Sequence, residues 1–367
     1  MSYFLGVDLG TTYSAAATRR GDHTAISALS DRSPMVPSVL LLRDDDSILV
    51  GDAANRRAVV EPDRVAREFK RRFGDPAPLI VGGSPYGADL LTARLLRWVV
   101  DLVAEREGGM PDGIALTHPA NWGNYKLDLL HQAVRRADLH DGAPCVTLSE
   151  PRAAATWYAR YERVEPGTVV AVYDLGGGTF DAAVLRRTAD GFDLLGTPEG
   201  IERLGGIDFD AAVFDHVVAT LGDAWDALDE DDPQVRAAVA RLRQECVEAK
   251  EALSGDSQAS IPVVLPGLHT DVRLTRSEFE AMVRPTLADT VVALRRALRS
   301  AELEPEEVDK VLLVGGSSRI PLVAEVVGAE LGRPIAVDAH PKHAVALGAA
   351  VARLRQECVE AKEALSG

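Results

Sequence analysis

Three short stretches of this 367-residue sequence combine residue types that could handle phosphate chemistry. The first is Asp8-Leu9-Gly10-Thr11-Thr12-Tyr13, at the end of the apolar run Tyr3–Asp8. Gly10 lets the backbone approach a ligand closely, so that the turn's N–H groups can point at its oxygens. Thr11 and Thr12 add hydroxyl donors without adding charge. Asp8 sits where a largely hydrated Mg²⁺ could be held beside phosphates. One such turn is a weak signal, because strands ending in glycine turns abound. The second, Asp174-Leu175-Gly176-Gly177-Gly178-Thr179-Phe180-Asp181, is far more specific. Three consecutive glycines are costly in a hairpin unless something large and polar must approach the backbone. The third, Val314-Gly315-Gly316-Ser317-Ser318-Arg319-Ile320-Pro321, is a glycine turn opening a helix. Such a turn can sit under a ribose and a base, with Arg319 laid against the ring face. Standing alone, it reads equally as a plain strand–helix turn.

The elements that must position these turns alternate short β-rich runs with amphipathic helices, the pattern of α/β layering. Strands are expected at Tyr3–Asp8, Ser14–Thr18, Ile114–Thr117, Cys145–Leu148, Val169–Asp174, Ala182–Arg187 and Val311–Val314. A helix over Gly87–Glu107 places Leu91, Leu95, Trp98, Val99 and Leu102 on one face, and Gly108-Gly109 stops it. Further helices are expected over Tyr125–Ala137, over Pro151–Tyr161 with proline in the first turn, and over Pro233–Leu253 behind the acidic run Asp229–Asp232. Thr275 with Glu278 forms a capping box that opens a long helix to about Ser300. Ala344–Ala352 begins the last helix. The run Leu5–Thr12 reappears in type as Val172–Thr179: an apolar strand, an Asp, and a glycine turn with Thr. Two related lobes facing each other across a cleft follow from that duplication, with the seam near Tyr161–Pro166.

Composition narrows the field of partners. Apolar residues make up 46% and charged residues 26%, and 40 basic against 56 acidic residues leave a net charge of −16. An acidic surface repels nucleic-acid phosphates and anionic lipids, so neither nucleic acid nor membrane is an expected partner. No basic stretch precedes the first apolar run, no apolar window spans a bilayer, and Cys145, Cys246 and Cys358 lack disulfide or zinc spacing. A reducing cytoplasm is the expected setting. Residues Ala237–Gly255 and Ala349–Gly367 are the same 19 letters. Two distant copies are not a solenoid array. A gene-assembly accident templated by the short AAVAR match explains them, with a recent duplication as the alternative. Little functional weight therefore falls on the tail beyond residue 352.

Taken in order, the three turns resemble the phosphate-1, phosphate-2 and adenosine motifs of the actin-like ATPase superfamily. More narrowly, Gly6-Val7-Asp8-Leu9-Gly10-Thr11-Thr12-Tyr13-Ser14, Tyr173-Asp174-Leu175-Gly176-Gly177-Gly178-Thr179-Phe180-Asp181 and Leu204-Gly205-Gly206-Ile207-Asp208-Phe209-Asp210 resemble the seventy-kilodalton heat-shock (DnaK-type) chaperones, from about residue 3 to residue 352. The resemblance implies a two-lobed fold with ribonuclease-H-like core sheets. Lobe I would span 1–162, with an inserted subdomain near 36–117, and be completed by the helix 342–352. Lobe II would span 163–341, with an insert near 204–280, leaving 353–367 as the duplicate of 241–255. It further implies ATP or ADP as ligand, with Asp8 and Asp174 flanking Mg²⁺ and Asp181 beside a monovalent cation such as K⁺. Thr11, Thr12 and Thr179 would bind phosphate oxygens, alongside Gly10, Tyr13, Gly176, Gly177 and Gly178. Lys70 would reach the γ-phosphate and Glu150 would orient water, with Pro151 as a hinge. Pro119 and Lys126 would relay nucleotide state. Gly205, Gly206, Lys250, Ser254, Gly315, Gly316, Ser317 and Arg319 would surround the adenosine. Only six of the 40 basic residues are lysines, and a compact ammonium between two arginines at Lys70 fits a point-charge role.

Departures accompany the match. The helix position where some relatives carry a base-stacking arginine is Glu251, the family's Gly-Gly-Glu-Asp-Phe-Asp has Ile207 for its Glu, and Asn-Pro-Asp-Glu is replaced by His340-Pro341-Lys342-His343. Val146 stands where an arginine contacts J-domain co-chaperones. The subdomain between Lys70 and Ile114 is short, and the reading expects neither the family's linker nor its peptide-binding domain in these 367 residues. The leading reading is an ATP-binding, slowly ATP-hydrolysing domain, monomeric, with a nucleotide exchange factor or co-chaperone as candidate partner. The alternatives are a nucleotide-gated interaction module with little hydrolysis and a filament-forming relative. The duplicated tail adds a domain-swapped dimer as a further expectation. A sugar kinase shares the scaffold, but no acceptor-binding signature is visible.

Overall fold

The computed structural model describes residues 2–31, 33–139, 143–337 and 343–352. The internal duplication read from the two Asp-containing runs becomes two five-strand arrangements of one topology. In the first sheet the order is Cys145–Ser149, Gly113–His118, Phe4–Leu9, Tyr13–Arg20, His23–Ser27, with Val36–Pro37 pairing beside Tyr13–Arg20. In the second it is Ile335–Val337, Lys310–Val314, Val169–Leu175, Phe180–Arg187, Phe192–Ile201. Each central strand pairs antiparallel with its hairpin partner and parallel with a strand reached only after a long excursion. Strands flanked on both sides need apolar residues on both faces, and Val169–Leu175 is buried at every position. Asp8 and Asp174 are each the penultimate residue of the central strand. Both carboxylates thus stand at the carboxyl ends of parallel strands, where open α/β sheets take ligands.

Long inserts decorate each half. The first carries a small sheet of Leu40–Leu42, Ile48–Val50 and Val65–Ala66, the helix Asp52–Ala58, and the hairpin Leu79–Val81 with Ser84–Tyr86. The second carries helices Gly206–Leu221 and Pro233–Ala252 and the hairpin Gln258–Leu265 with Leu268–Thr275. The helix Ala88–Glu107 buries Leu91, Leu95 and Val99 and ends at Gly108 in the left-handed region (φ 75°), as its sequence dictates. Asp232 caps Pro233–Ala252 by accepting from the Gln234 N–H, and the Thr275–Glu278 box opens Arg276–Ser300. The helix begun by Pro151 is shorter than expected: it runs Glu150–Tyr158 and then turns.

Three large apolar cores result, beside a small fourth of Val39, Leu41 and Ala54 in the first insert. One lies under each sheet, and the third fills the seam between them with small residues: Ala15, Ala17, Ala153, Val170, Val172, Leu312, Ala346 and Ala350. Residues 344–352 are helical and pack there. The approach is close enough that a Cβ on Gly348 would lie 1.8 Å from the Ala153 carbonyl oxygen. Gly348→Ala therefore overpacks a rigid backbone contact, and a loss of about 3 kcal/mol is expected. Thermal unfolding should show this as a drop of several degrees; an unchanged midpoint would mean that this helix does not seat as described. The expectations for Pro341, Lys342 and the tail-swapped dimer fall on residues outside those described. Among the described residues no helix is long and apolar enough to cross a membrane.

Candidate functional site

The two central strands end at one cleft with a cavity volume of about 270 Å³. Its lining brings together Asp8, Gly10, Thr11, Thr12 and Tyr13 from the first turn and Asp174, Gly176, Gly177 and Thr179 from the second. Gly315, Gly316 and Ser317 come from the third turn, joined by Lys70, Glu150, Gly206, Lys250 and Ser254. Four expected residues stand elsewhere. Gly178 and Gly205 form the layer behind the lining, where a Cβ on Gly205 would meet Gly178 N at 2.6 Å. Asp181 is buried beneath the cleft floor. Arg319 closes the 3₁₀ turn Gly316–Arg319 with its side chain exposed, so the neighbouring Ile320, not Arg319, lines the cleft.

The glycines serve contact between turns. Gly206 N–H donates to Gly176 O (3.1 Å), Ile207 N–H to Gly177 O (2.8 Å), and Ser317 Oγ to Gly176 O (2.9 Å). A Cβ on Gly177 would sit 1.9 Å from Thr12 Oγ1. Gly315 has φ +84°, and a Cβ there would come 2.5 Å from Asp174 Oδ1. The first turn is braced by Ser38, whose hydroxyl donates to Gly10 O at 2.7 Å and whose N–H donates to Thr12 O at 2.8 Å. Ser38 carries no motif signal and was not expected. Thr12 Oγ1 is buried with no hydrogen-bond partner among the described residues, a donor suited to a phosphate oxygen.

Lys70 arrives on the 3₁₀ turn Phe69–Arg72, anchored by buried Phe69 and Phe73. The turn is entered through Glu68 at φ 53°, a left-handed conformation that costs a non-glycine residue about 1–2 kcal/mol. Lys70 Nζ donates to Glu150 Oε1 at 2.8 Å, and both side chains are largely buried. Burial alone would lower the lysine's pKa, but Glu150, Asp8 and Asp181 together carry it above its ordinary value. Burial raises Asp8 to about 6, helped by the Glu150 charge, while Lys70 and a 3.1 Å hydrogen bond from Thr117 oppose the rise. Burial and then the Glu150 charge hold Asp174 well above the usual carboxylate range and bring Asp181 to about 8. Asp181 Oδ1 has no hydrogen-bond partner among the described residues.

Four acids thus gather around Lys70, a donor set with the hard oxygens that suit Mg²⁺. No three His, Cys, Asp or Glu side chains among the described residues converge as a direct chelate. The residues therefore fit an ion held largely through water and phosphate oxygens rather than one caged by protein. At the other end of the cleft, Lys250 Nζ pairs with Asp210 Oδ1 (2.6 Å) and reaches Gly206 O (3.3 Å). Asp210, which pairs this lysine off, was not among the expected site residues. Glu251, Gln244, Val247, Met35, Pro37 and Val39 complete that end. Of the expected relay residues, Lys126 forms an ion pair with Glu202 of the second half, and the Pro119 carbonyl lies 2.8 Å from His118 Nδ1. A family model described as "Hsp70 protein" matches residues 4–78 and 81–366.

Proposed function

The chain belongs to the Hsp70 family, and from that premise we propose that it binds ATP and ADP with Mg²⁺ and hydrolyses ATP slowly. Members of the family are ATPases of the two-lobed actin-like fold, to which the paired sheets here conform. The lobes are assigned to 1–162 with the closing helix 342–352, and to 163–341, with inserts near 36–117 and 204–280. The observation that carries the reading is the buried Lys70–Glu150 pair at the meeting point of two glycine turns that end on Asp8 and Asp174. Phosphoryl transfer needs positioning and charge stabilisation more than covalent help. Backbone N–H groups of both turns and the hydroxyls of Thr11, Thr12 and Thr179 bind the phosphates. Lys70 neutralises charge on the transferred group, and Glu150, held by Lys70, orients the attacking water. Mg²⁺, when bound near Asp8 and Asp174, supplies charge neutralisation on the phosphate oxygens, and K⁺ is assigned to Asp181. Gly205, Gly206, Gly315, Gly316, Ser317, Lys250 and Ser254 surround the nucleoside.

A second reading, a nucleotide-gated interaction module with little turnover, draws on the nucleoside end, where Lys250 is already paired with Asp210 and Glu251 adds a further acid. We assign the protein to a reducing cytoplasm, as a monomer served by a co-chaperone or exchange factor. The deciding experiment measures ATP turnover with Mg²⁺ and with chelator, together with ADP binding by calorimetry. Slow, chelator-sensitive turnover with ADP binding is expected. Tight binding without turnover selects the gated module, and failure to bind either nucleotide overturns both readings.

A further inference from the structure

The ATPase roles leave unused the residue that spans the cleft most completely, Arg71. Its side chain is only 11% exposed, although it directly follows Lys70. Arg71 Nη2 lies 2.6 Å from Asp208 Oδ2, Nη1 lies 3.5 Å from Asp208 Oδ1, and Nε donates to the Gly178 carbonyl at 2.8 Å. Glu68 Oε2 steadies the guanidinium at 3.4 Å. Asp208 is itself fixed, because its Oδ2 accepts the Gly205 N–H at 2.8 Å where the helix Gly206–Leu221 begins. One guanidinium from the first half therefore holds both the triple-glycine turn and the helix start that hydrogen-bonds to Gly176 and Gly177. Two more contacts reach the same stretch, 200–208. Lys126 pairs with Glu202, and Asn121 lies so close to Gly200 that a Cβ there would be 2.1 Å from its amide nitrogen.

We propose that Arg71 is a positioning residue: it latches the second half's glycine turn and the segment 200–208 against the first half, and so sets how fast bound ADP leaves. The inference rests on the nucleotide-binding reading for its ligand but not for its geometry. Arginine is required because three donors in a planar fork reach a carboxylate and a carbonyl at once, whereas an ammonium is a point charge without that fork. Opening the cleft must break these bonds together.

Release of a fluorescent ADP from its Mg²⁺ complex, followed by stopped flow, tests this on wild type, Arg71→Ala, Arg71→Lys, Asp208→Asn and Arg71→Ala/Asp208→Asn. Release is expected to quicken at least tenfold in Arg71→Ala and by less in Arg71→Lys. The double variant should be no faster than the quicker single one, because both break one interaction. Hydrogen exchange at residues 200–208 of the nucleotide-free protein should also rise in Arg71→Ala, and to a smaller extent in Arg71→Lys. Wild-type release from Arg71→Ala, or effects of the two substitutions that multiply, would overturn the latch. If wild type binds no ADP, the ATPase reading fails, and the exchange measurement still decides: unchanged protection in Arg71→Ala removes the latch as well.

Discussion

Lys70→Ala is expected to lower Mg²⁺-dependent ATP turnover by roughly a hundredfold or more, while ADP affinity stays within a few-fold of wild type. The magnitude is that of removing one preorganised donor from a site of developing charge, about 10²–10³ in rate. Two features make the loss large here. Lys70 is the charge that holds down the raised pKa values of Asp8 and Asp174, and it is the ion-pair partner of buried Glu150. Its removal also frees Glu150 from the hydrogen bond that fixes its direction, so water orientation is lost with charge stabilisation. ADP lacks the group Lys70 is assigned to neutralise, and its remaining phosphates meet the glycine turns instead. A buried carboxylate left without its partner costs several kcal/mol. Melting curves of both proteins at matched pH therefore belong beside the rate measurement. Turnover within a few-fold of wild type would remove Lys70 from the chemistry, and loss of ADP binding together with turnover would make it a folding or binding residue.

How much of this was legible in the sequence depends on the range of each signal. The capping box at Thr275–Glu278 and the glycine stop at Gly108 act within one turn, and both were readable. So were the all-apolar central strands and the equivalence of their Asp positions. The helix Gly206–Leu221 carries Phe209, Val213 and Val217 at helical spacing, but the glycine-rich run Leu204–Asp210 masks its first turn in the sequence. In Gln258–Leu265, Ile261, Val263 and Leu265 alternate inward, but Pro262 within the run reads as a breaker; it is tolerated because this hairpin's strand has a free edge. Phe192–Ile201 is mostly exposed or half-buried, so it lacks a core face to announce it. The site divides the same way. The turns are local and were found, whereas Lys70 and Glu150 are 80 positions apart and were joined only by family resemblance. Ser38 and Arg71 carry no motif signal, and Asp208 and Asp210 lie in the run Leu204–Asp210 with no role attached to them, because their partners are set by tertiary packing. Arg319 stands exposed at the end of the turn Gly316–Arg319, outside the lining of the ligand-free cleft.

Rising pH should work against this fold and in favour of its ligand. Asp8 at about 6 and Asp181 at about 8 both lie above the ordinary value near 3.8, with Asp174 raised as well. Between pH 4 and 8 these buried acids therefore hold protons in the folded, ligand-free protein that they lack in the unfolded chain. Raised carboxyl groups contribute stability that is complete below the unfolded pKa and is lost as pH climbs through the folded pKa. The melting point of the nucleotide-free protein should accordingly fall from pH 6 to pH 9. Each proton involved is worth about 1.4 kcal/mol per pH unit. A cation entering among these acids must displace the same protons, so Mg²⁺–ADP affinity should rise with pH, by up to about tenfold per unit for each proton released. Asp181→Asn keeps the size of the side chain and removes the carboxyl raised to about 8. In that variant the upper part of both profiles should flatten, and calorimetry in buffers of different ionisation heat should count fewer protons released on binding. Equal proton release from wild type and Asp181→Asn at pH 7.5 would show that Asp181 is already charged in the free protein, and that burial beneath the cleft does not hold its proton.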